Sequence, residues 1–430
     1  MITMIFGAGA SVPFFNPVLN TQYLTDKVSS KDEWARIISK YKDKKGNGYS
    51  IVDPNEVIDV IDIIKSNKHN ANFEEIAEVI DKISSYGYNC WPDSNMLNNL
   101  IHTLHQWQGI KYGNPFGAKW KDVPFLFREI IAEAILDLQD NHKATNYQTL
   151  SDTQKNLIQA LCEESEDVSV VSLNYDDCLF DSLSCLGFEH GFYNLKENYS
   201  GQIDIKRFMN AKRVIYFPHG HLRFQFVDNE QVTYWHDSNK ANDERWDSID
   251  RLAVGSTLTV LPGKFAYNYN TFLSTGQTKD DGLNTIPYSI YYQRLAIDLS
   301  KSDTIFVIGY SFGDLHINRM LMSYLETDSL HKIVVVDYYQ DDLTMTSEYN
   351  DDNNIILRVH LCFGTEWGVF LENGVNLKPM NQEGVNSVNQ KGYGWIFDQV
   401  LFYKKGYAEF LDEYDNVLQY KTDSFIFKIS

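Results

Sequence analysis

Two textures divide the chain, one of helical periodicity and one of short continuous apolar runs. Residues 1–6 read as a buried strand that stops at Gly7. From about 20 to 165 apolar positions recur every three or four residues, which predicts a mostly helical block. Asp53-Pro54-Asn55-Glu56 offers an N-cap, a proline at the first helical position and an acid in the first turn. Asn72-Phe73-Glu74-Glu75 reads as a capping box, followed by Phe73, Ile76, Ala77, Ile80 and Ile83 on one face. Phe127, Ile130, Ile131, Ala134, Ile135 and Leu138 repeat that stripe, and both are core faces.

From about 166 the pattern changes. VSVVSLNYDD, RVIYFPHGH, DTIFVIGYSFGD and KIVVVDYY are apolar runs that each end in a polar or glycine turn. Separated by helical stretches, they predict a parallel sheet covered on both faces. Ligands of such sheets bind beyond the carboxyl ends of the strands, so these turns are expected to share one crevice. The region 223–300 is polar and aromatic, with one apolar piece, LAVGSTLTVLPG. After about 345 short aromatic runs such as YAEFLDEYDNVLQY suggest a small β-rich appendage, with a hairpin turn at Asp415-Asn416.

Composition narrows the function classes. The 430 residues carry a net charge of −20 and 43% hydrophobic residues, with a pI near 4.9. Such acidity argues against a generic nucleic-acid groove or a basic membrane-hugging face. No run approaches the length of a membrane span, and MITMIFGAGAS lacks the basic start of a signal peptide, so a cytoplasmic protein is expected. Five cysteines form no C-x-x-C pair, which argues against structural zinc and a disulfide framework.

The candidate chemistry sits at the strand ends. Gly7-Ala8-Gly9-Ala10-Ser11 is a turn whose backbone can approach a phosphate. Val12 stands where a dehydrogenase fingerprint has its third glycine or alanine, so hydride transfer is disfavoured. Asn174 and Asp176 end one strand; both are turn formers that can also hold a ribose or a water. His219, in Pro218-His219-Gly220-His221, can act as a general base near neutral pH. Asp337 ends another strand, where it either reaches a ribose or caps the next segment. Gly309-Tyr310-Ser311-Phe312-Gly313 is a literal G-x-S-x-G.

In this order GAGAS, LNYDD, PHG, VIGYSFGD and VVVD resemble the SIR2-like family of bacterial proteins that cleave NAD, many of them in anti-phage defence. The likeness spans residues 1–20 and about 166–340. It implies a sirtuin-like, Rossmann-type α/β domain over 1–345, a helical insertion at about 20–165, and a C-terminal module at 346–430. By the same likeness Gly7, Ala8, Gly9 and Ser11 line the pyrophosphate, and Asn174, Asp176 and His219 are catalytic. Gly309, Ser311, Phe312 and Asp337 would hold the adenosine side. The four zinc cysteines of protein-deacetylating sirtuins are absent, and VPFFNPVLN replaces their G-I-P-D-F-R segment. The expected activity is therefore NAD hydrolysis to nicotinamide and ADP-ribose, or a cyclic form, without a metal, in an effector that depletes NAD during abortive infection. The family also implies a homo-oligomer, or a partner such as a HerA-type ATPase or a short Argonaute.

Two other classes compete. A serine hydrolase would use Ser311, Asp337 and His360 in that chain order. A non-catalytic subunit would bind NAD or ADP-ribose and signal to a partner.

Overall fold

A computed structural model of the chain describes residues 1–45, 52–68, 71–89, 120, 123–183, 185–193, 199–200, 203–227, 232–236, 258–261, 264–267, 286–327, 331–343, 358–359, 362–363, 365–371, 374–377 and 380–418. Its centre is a seven-stranded sheet: β1 (Ile2–Phe6), β2 (Val168–Ser172), β3 (Arg213–Tyr216), β4 (Thr304–Ile308), β5 (Lys332–Val336), β6 (Tyr393–Phe397) and β7 (Val400–Tyr403). Their spatial order is β6-β7-β5-β4-β1-β2-β3. Six strands run parallel; the edge strand β6 pairs antiparallel with β7. Every residue of β1, β2, β4 and β5 is buried, which is why these runs are mostly apolar and lack an exposed polar alternation; Thr3, Ser169, Ser172, Thr304 and Lys332 are buried within them.

The chain builds β1, β2 and β3 outward in one direction, then crosses back to lay β4 on the other side of β1. This is the strand order of Rossmann-like α/β sheets, and the reversal opens a crevice beyond the carboxyl ends of β1 and β4. The mixed α/β class and mostly parallel sheet expected from the apolar runs are therefore present.

The helical block comprises α1 (Thr21–Val28), α2 (Lys31–Lys45), α3 (Pro54–Asn67), α4 (Phe73–Asn89), α5 (Val123–Asn141) and α6 (Tyr147–Glu164). The caps form as the sequence dictates. Asp53 Oδ1 accepts the N–H of Asn55 at 2.8 Å, with Pro54 opening α3. Asn72 Oδ1 accepts from the N–H groups of Glu74 and Glu75, while Glu75 Oε2 accepts the N–H of Asn72, closing a capping box. Phe73, Ile76, Ala77 and Ile80 are buried, as is the whole α5 stripe; Ile83 is only half-buried. Inside this block Arg128 and Asp81 form a two-pronged, buried ion pair at 2.7 and 2.9 Å.

The tail departs from expectation. Its residues supply β6 and β7 to the main sheet, packed by α11 (Gln382–Lys391) and α12 (Tyr407–Leu418), which follow α7 (Cys178–Leu183), α8 (Ile205–Asn210), α9 (Tyr288–Lys301) and α10 (Leu315–Thr327) in the chain. Asp415-Asn416 lies within α12 and is no hairpin turn. The misreading has a physical cause: the apolar positions of YAEFLDEYDNVL also recur at helical spacing, and Tyr407, Phe410, Leu411 and Val417 are buried together. Among the described residues of this part of the chain, Thr365–Leu371 and Gly374–Leu377 form a separate two-stranded ribbon. The piece LAVGSTLTVLPG contributes Leu258–Leu261 to another ribbon, and its first residues lie outside the described ones.

Among the described residues no helix is long and apolar enough to cross a membrane, and no group of three or more His, Cys, Asp or Glu is placed to hold a metal ion.

Candidate active site

Four strand ends converge on one cavity of about 290 Å³ at the crevice. Gly7, Ala8 and Ser11 follow β1, Leu173 to Asp176 follow β2, His219 follows β3, and Tyr310, Ser311, Gly313 and Asp314 follow β4. The helical block closes the other side with Leu19, Asn20, Thr21, Leu24, Asn72 to Glu75 and Ile135. The block expected as an insertion is thus a wall of the cavity.

At the end of β2, Asn174 and Asp176 are tied to the loop after β1 through Ser11. Asn174 Nδ2 donates to Gly7 O and to Ser11 Oγ, both at 2.8 Å. Ser11 Oγ in turn donates to Asp176 Oδ2 at 2.7 Å, and Asp176 Oδ1 accepts the N–H of Cys178 at 3.0 Å. The last bond opens the short helix α7 (Cys178–Leu183). Asn174 has spent both amide protons, so Oδ1 is the atom it has to offer a ligand, as an acceptor of O–H. Burial raises the Asp176 carboxyl above its usual range, against the lowering effect of Ser11 and Cys178.

The two histidines of PHGH do different work. His221 is fully buried; its Nδ1 accepts the N–H of Arg223 at 3.2 Å, and its Nε2 lies 3.1 Å from Asp176 O. Those bonds require the neutral ring with a proton on Nε2. Burial holds its pKa down at about 4 even with Asp177 nearby. Asp177 is itself engaged by Arg223 Nε at 2.6 Å and by Gln139 Nε2 at 3.3 Å. His221 is therefore a prop beneath Asp176.

His219 instead lines the cavity. Its Nε2 sits 2.9 Å from Asp314 Oδ2, both residues less than a tenth exposed. A carboxylate there selects the tautomer protonated on Nε2 and leaves Nδ1 as the basic nitrogen. Asp314 has a second task. Its Oδ1 accepts the N–H groups of His316 at 2.9 Å and Ile317 at 3.3 Å, so it is the N-cap of α10 (Leu315–Thr327). Asp314 carried no sequence reading of its own, because its partner His219 lies 95 positions away.

The glycines of the two Gly-rich turns serve each other. A Cβ on Gly7 would meet Gly309 O at 2.6 Å, and one on Gly309 would meet Ala10 N at 2.2 Å. Gly309 also has φ +59°, which favours glycine. Four of the five N–H groups in residues 7–11 donate within the protein: Gly7 to Ile308 O, Gly9 to Gly309 O, Ala10 to Gly7 O and Ser11 to Ala8 O. Only the exposed Ala8 keeps its N–H in hand, so this loop is a backbone interlock more than a phosphate cradle.

The remaining sequence candidates divide. Ser311 lines the cavity and is exposed, whereas Gly9, Gly309, Phe312 and Asp337 do not line it. Asp337 Oδ1 accepts the N–H of Tyr338 at 2.7 Å, the capping alternative, and burial lifts its carboxyl to about 7. In the turn after β4 the left-handed residue other than glycine is Phe312, at φ +54°, not Ser311. The helix starts only at Leu315. A nucleophile elbow needs the strained serine directly between strand and helix, and this turn lacks that form. Of its expected partners, His360 lies outside the described residues.

Glu74, Glu75 and Arg358 also line the cavity and carried no sequence signal. Glu74 and Glu75 read as ordinary first-turn acids, and Arg358 lies in a segment with no motif. With Asp176 and Asp314 they make a site of four carboxylates, one arginine and one histidine. No protein-family model matches this chain, and no curated protein matches it either.

Proposed function

We propose that the cavity binds NAD and hydrolyses its nicotinamide–ribose bond. The observation that carries the reading is the His219–Asp314 pair sharing one acidic cavity with the Asn174–Ser11–Asp176 chain, at the strand ends where the sheet order reverses. The chemistry asks for these parts. The bond between ribose C1′ and the pyridinium nitrogen breaks with its electron pair going to nicotinamide, which leaves neutral and needs no proton. One base therefore suffices. Water forms the new bond to C1′ and gives its proton to His219 Nδ1, and the Asp314 carboxylate steadies the imidazolium. Positive charge builds on the ribose in an oxocarbenium-like state, which the surrounding carboxylates favour. Asn174 Oδ1 accepts a ribose hydroxyl or the water.

The test is to incubate the full chain with NAD, alone and with products of neighbouring genes, and to resolve nicotinamide and ADP-ribose by chromatography. His219→Ala and Asn174→Ala are expected to abolish nicotinamide release in a chain that still unfolds cooperatively, with about 1–3 kcal/mol of stability lost where buried hydrogen bonds are removed. Undiminished turnover in either variant overturns the residue assignment. Binding of NAD without turnover in any combination turns the reading to a sensor subunit, and no binding refutes it.

A further inference from the structure

A dinucleotide brings a doubly charged diphosphate, and the loop expected to receive it has little left to give. Four of its five N–H groups are bonded inside the protein. The cavity wall is otherwise hostile to anions, with Glu74, Glu75, Asp176 and Asp314 on it. His219 is committed to Asp314. Arg358 is the one Arg or Lys among the described residues lining the cavity. Its Nη1 donates to Ser311 O at 3.0 Å, which pins the guanidinium to the turn after β4. That turn is stiff. The Tyr310 hydroxyl accepts the N–H of Asp314 at 3.1 Å and lies 2.9 Å from Asn318 Oδ1, and Asn318 Nδ2 donates to Phe312 O at 2.8 Å.

From this placement we infer that Arg358 is the diphosphate receptor of the cavity and sets its substrate class as nucleotides carrying a diphosphate. The inference rests on the nucleotide reading above. A guanidinium keeps a planar, permanent positive charge, and its fork of donors matches phosphate oxygens. The opposing carboxylates repel a phosphate anywhere else, so Arg358 supplies selectivity as well as attraction. Nicotinamide riboside and adenosine, which have no diphosphate, gain nothing from it.

Calorimetry with the full chain tests the assignment, using ADP-ribose and adenosine as probes for the wild type, Arg358→Gln and Arg358→Lys. Loss of a charge-assisted pair to phosphate is expected to weaken ADP-ribose binding by about ten- to a hundred-fold in Arg358→Gln. Adenosine binding stays unchanged, and Arg358→Lys recovers part of the loss. Matching thermal unfolding of the variants shows that folding is intact. Wild-type affinity for ADP-ribose in Arg358→Gln overturns the inference while leaving the nucleotide reading standing. A wild type that binds neither probe overturns both.

Discussion

Replacing Asp314 by asparagine separates two tasks that one carboxylate performs. Oδ1 caps α10 through His316 and Ile317, and Oδ2 holds His219 Nε2 at 2.9 Å. Asparagine caps a helix as well as aspartate does, so its amide oxygen stays with the helix. The NH₂ group then faces His219, and a donor there forces Nε2 to become the acceptor. The ring proton moves to Nδ1, the atom that the proposed hydrolysis uses as its base. The variant also loses the carboxylate opposite the imidazolium. At a charge separation of about 4 Å and an effective dielectric near 20 that attraction is about 4 kcal/mol, or roughly 10³-fold in rate. Stability should change far less: about 1 kcal/mol for one weakened hydrogen bond, with about 1 kcal/mol more in Asp314→Ala, which also loses the cap. Nicotinamide release measured beside urea unfolding reads both quantities. Nitrogen NMR of the imidazole reads the tautomer without any need for turnover. An Asp314→Asn variant that releases nicotinamide within tenfold of the wild-type rate, or a ring still protonated on Nε2, refutes the reasoning.

Other perturbations probe the scaffold. Gly309→Ala puts a Cβ 2.2 Å from Ala10 N at a φ of +59°, so it should cost at least the 1–2 kcal/mol, roughly, of the left-handed backbone and open the site by forcing the two turns apart; urea unfolding that matches the wild type would show that the interlock is not as tight as drawn. Asp337 has its carboxyl raised by burial from 3.8 to about 7, so the folded state holds its proton longer than the unfolded chain. Its contribution is complete below pH 3.8 and is lost as pH rises through 7. Asp337→Asn keeps the acceptor for Tyr338 N–H without that loss, so its stability relative to wild type should rise by up to about 4 kcal/mol between pH 4 and pH 8. A difference in unfolding free energy that stays flat with pH contradicts this.

Much of the framework was legible because it depends on neighbours in sequence. The apolar runs at 2–6, 168–172, 304–308 and 332–336 became the buried parallel strands, and Asp53 and Asn72 cap their helices through bonds to residues two or three positions on. The candidate crevice followed from strand ends alone, so Ala8, Ser11, Asn174, Asp176, His219 and Ser311 were found together on its wall. The tail was misread because aromatic runs at 393–403 and 407–418 suit an isolated hairpin as well as a strand pair and a helix. Whether strands join a large sheet is settled by pairing partners far away, here β5.

The acidic composition, the order of strands and helices, and the residue types at each strand end are local properties of the chain, and periodicity and capping chemistry are enough to dictate them. Which of those residues act on one another was decided by the fold. His219 meets Asp314 across 95 positions, and Ser11 meets Asp176 across 165. Arg358 enters the cavity from a segment without a motif, and the glycines of two remote turns lock into each other. Such pairings come from parallel crossovers that bring distant strand ends side by side, and no spacing along the chain encodes them.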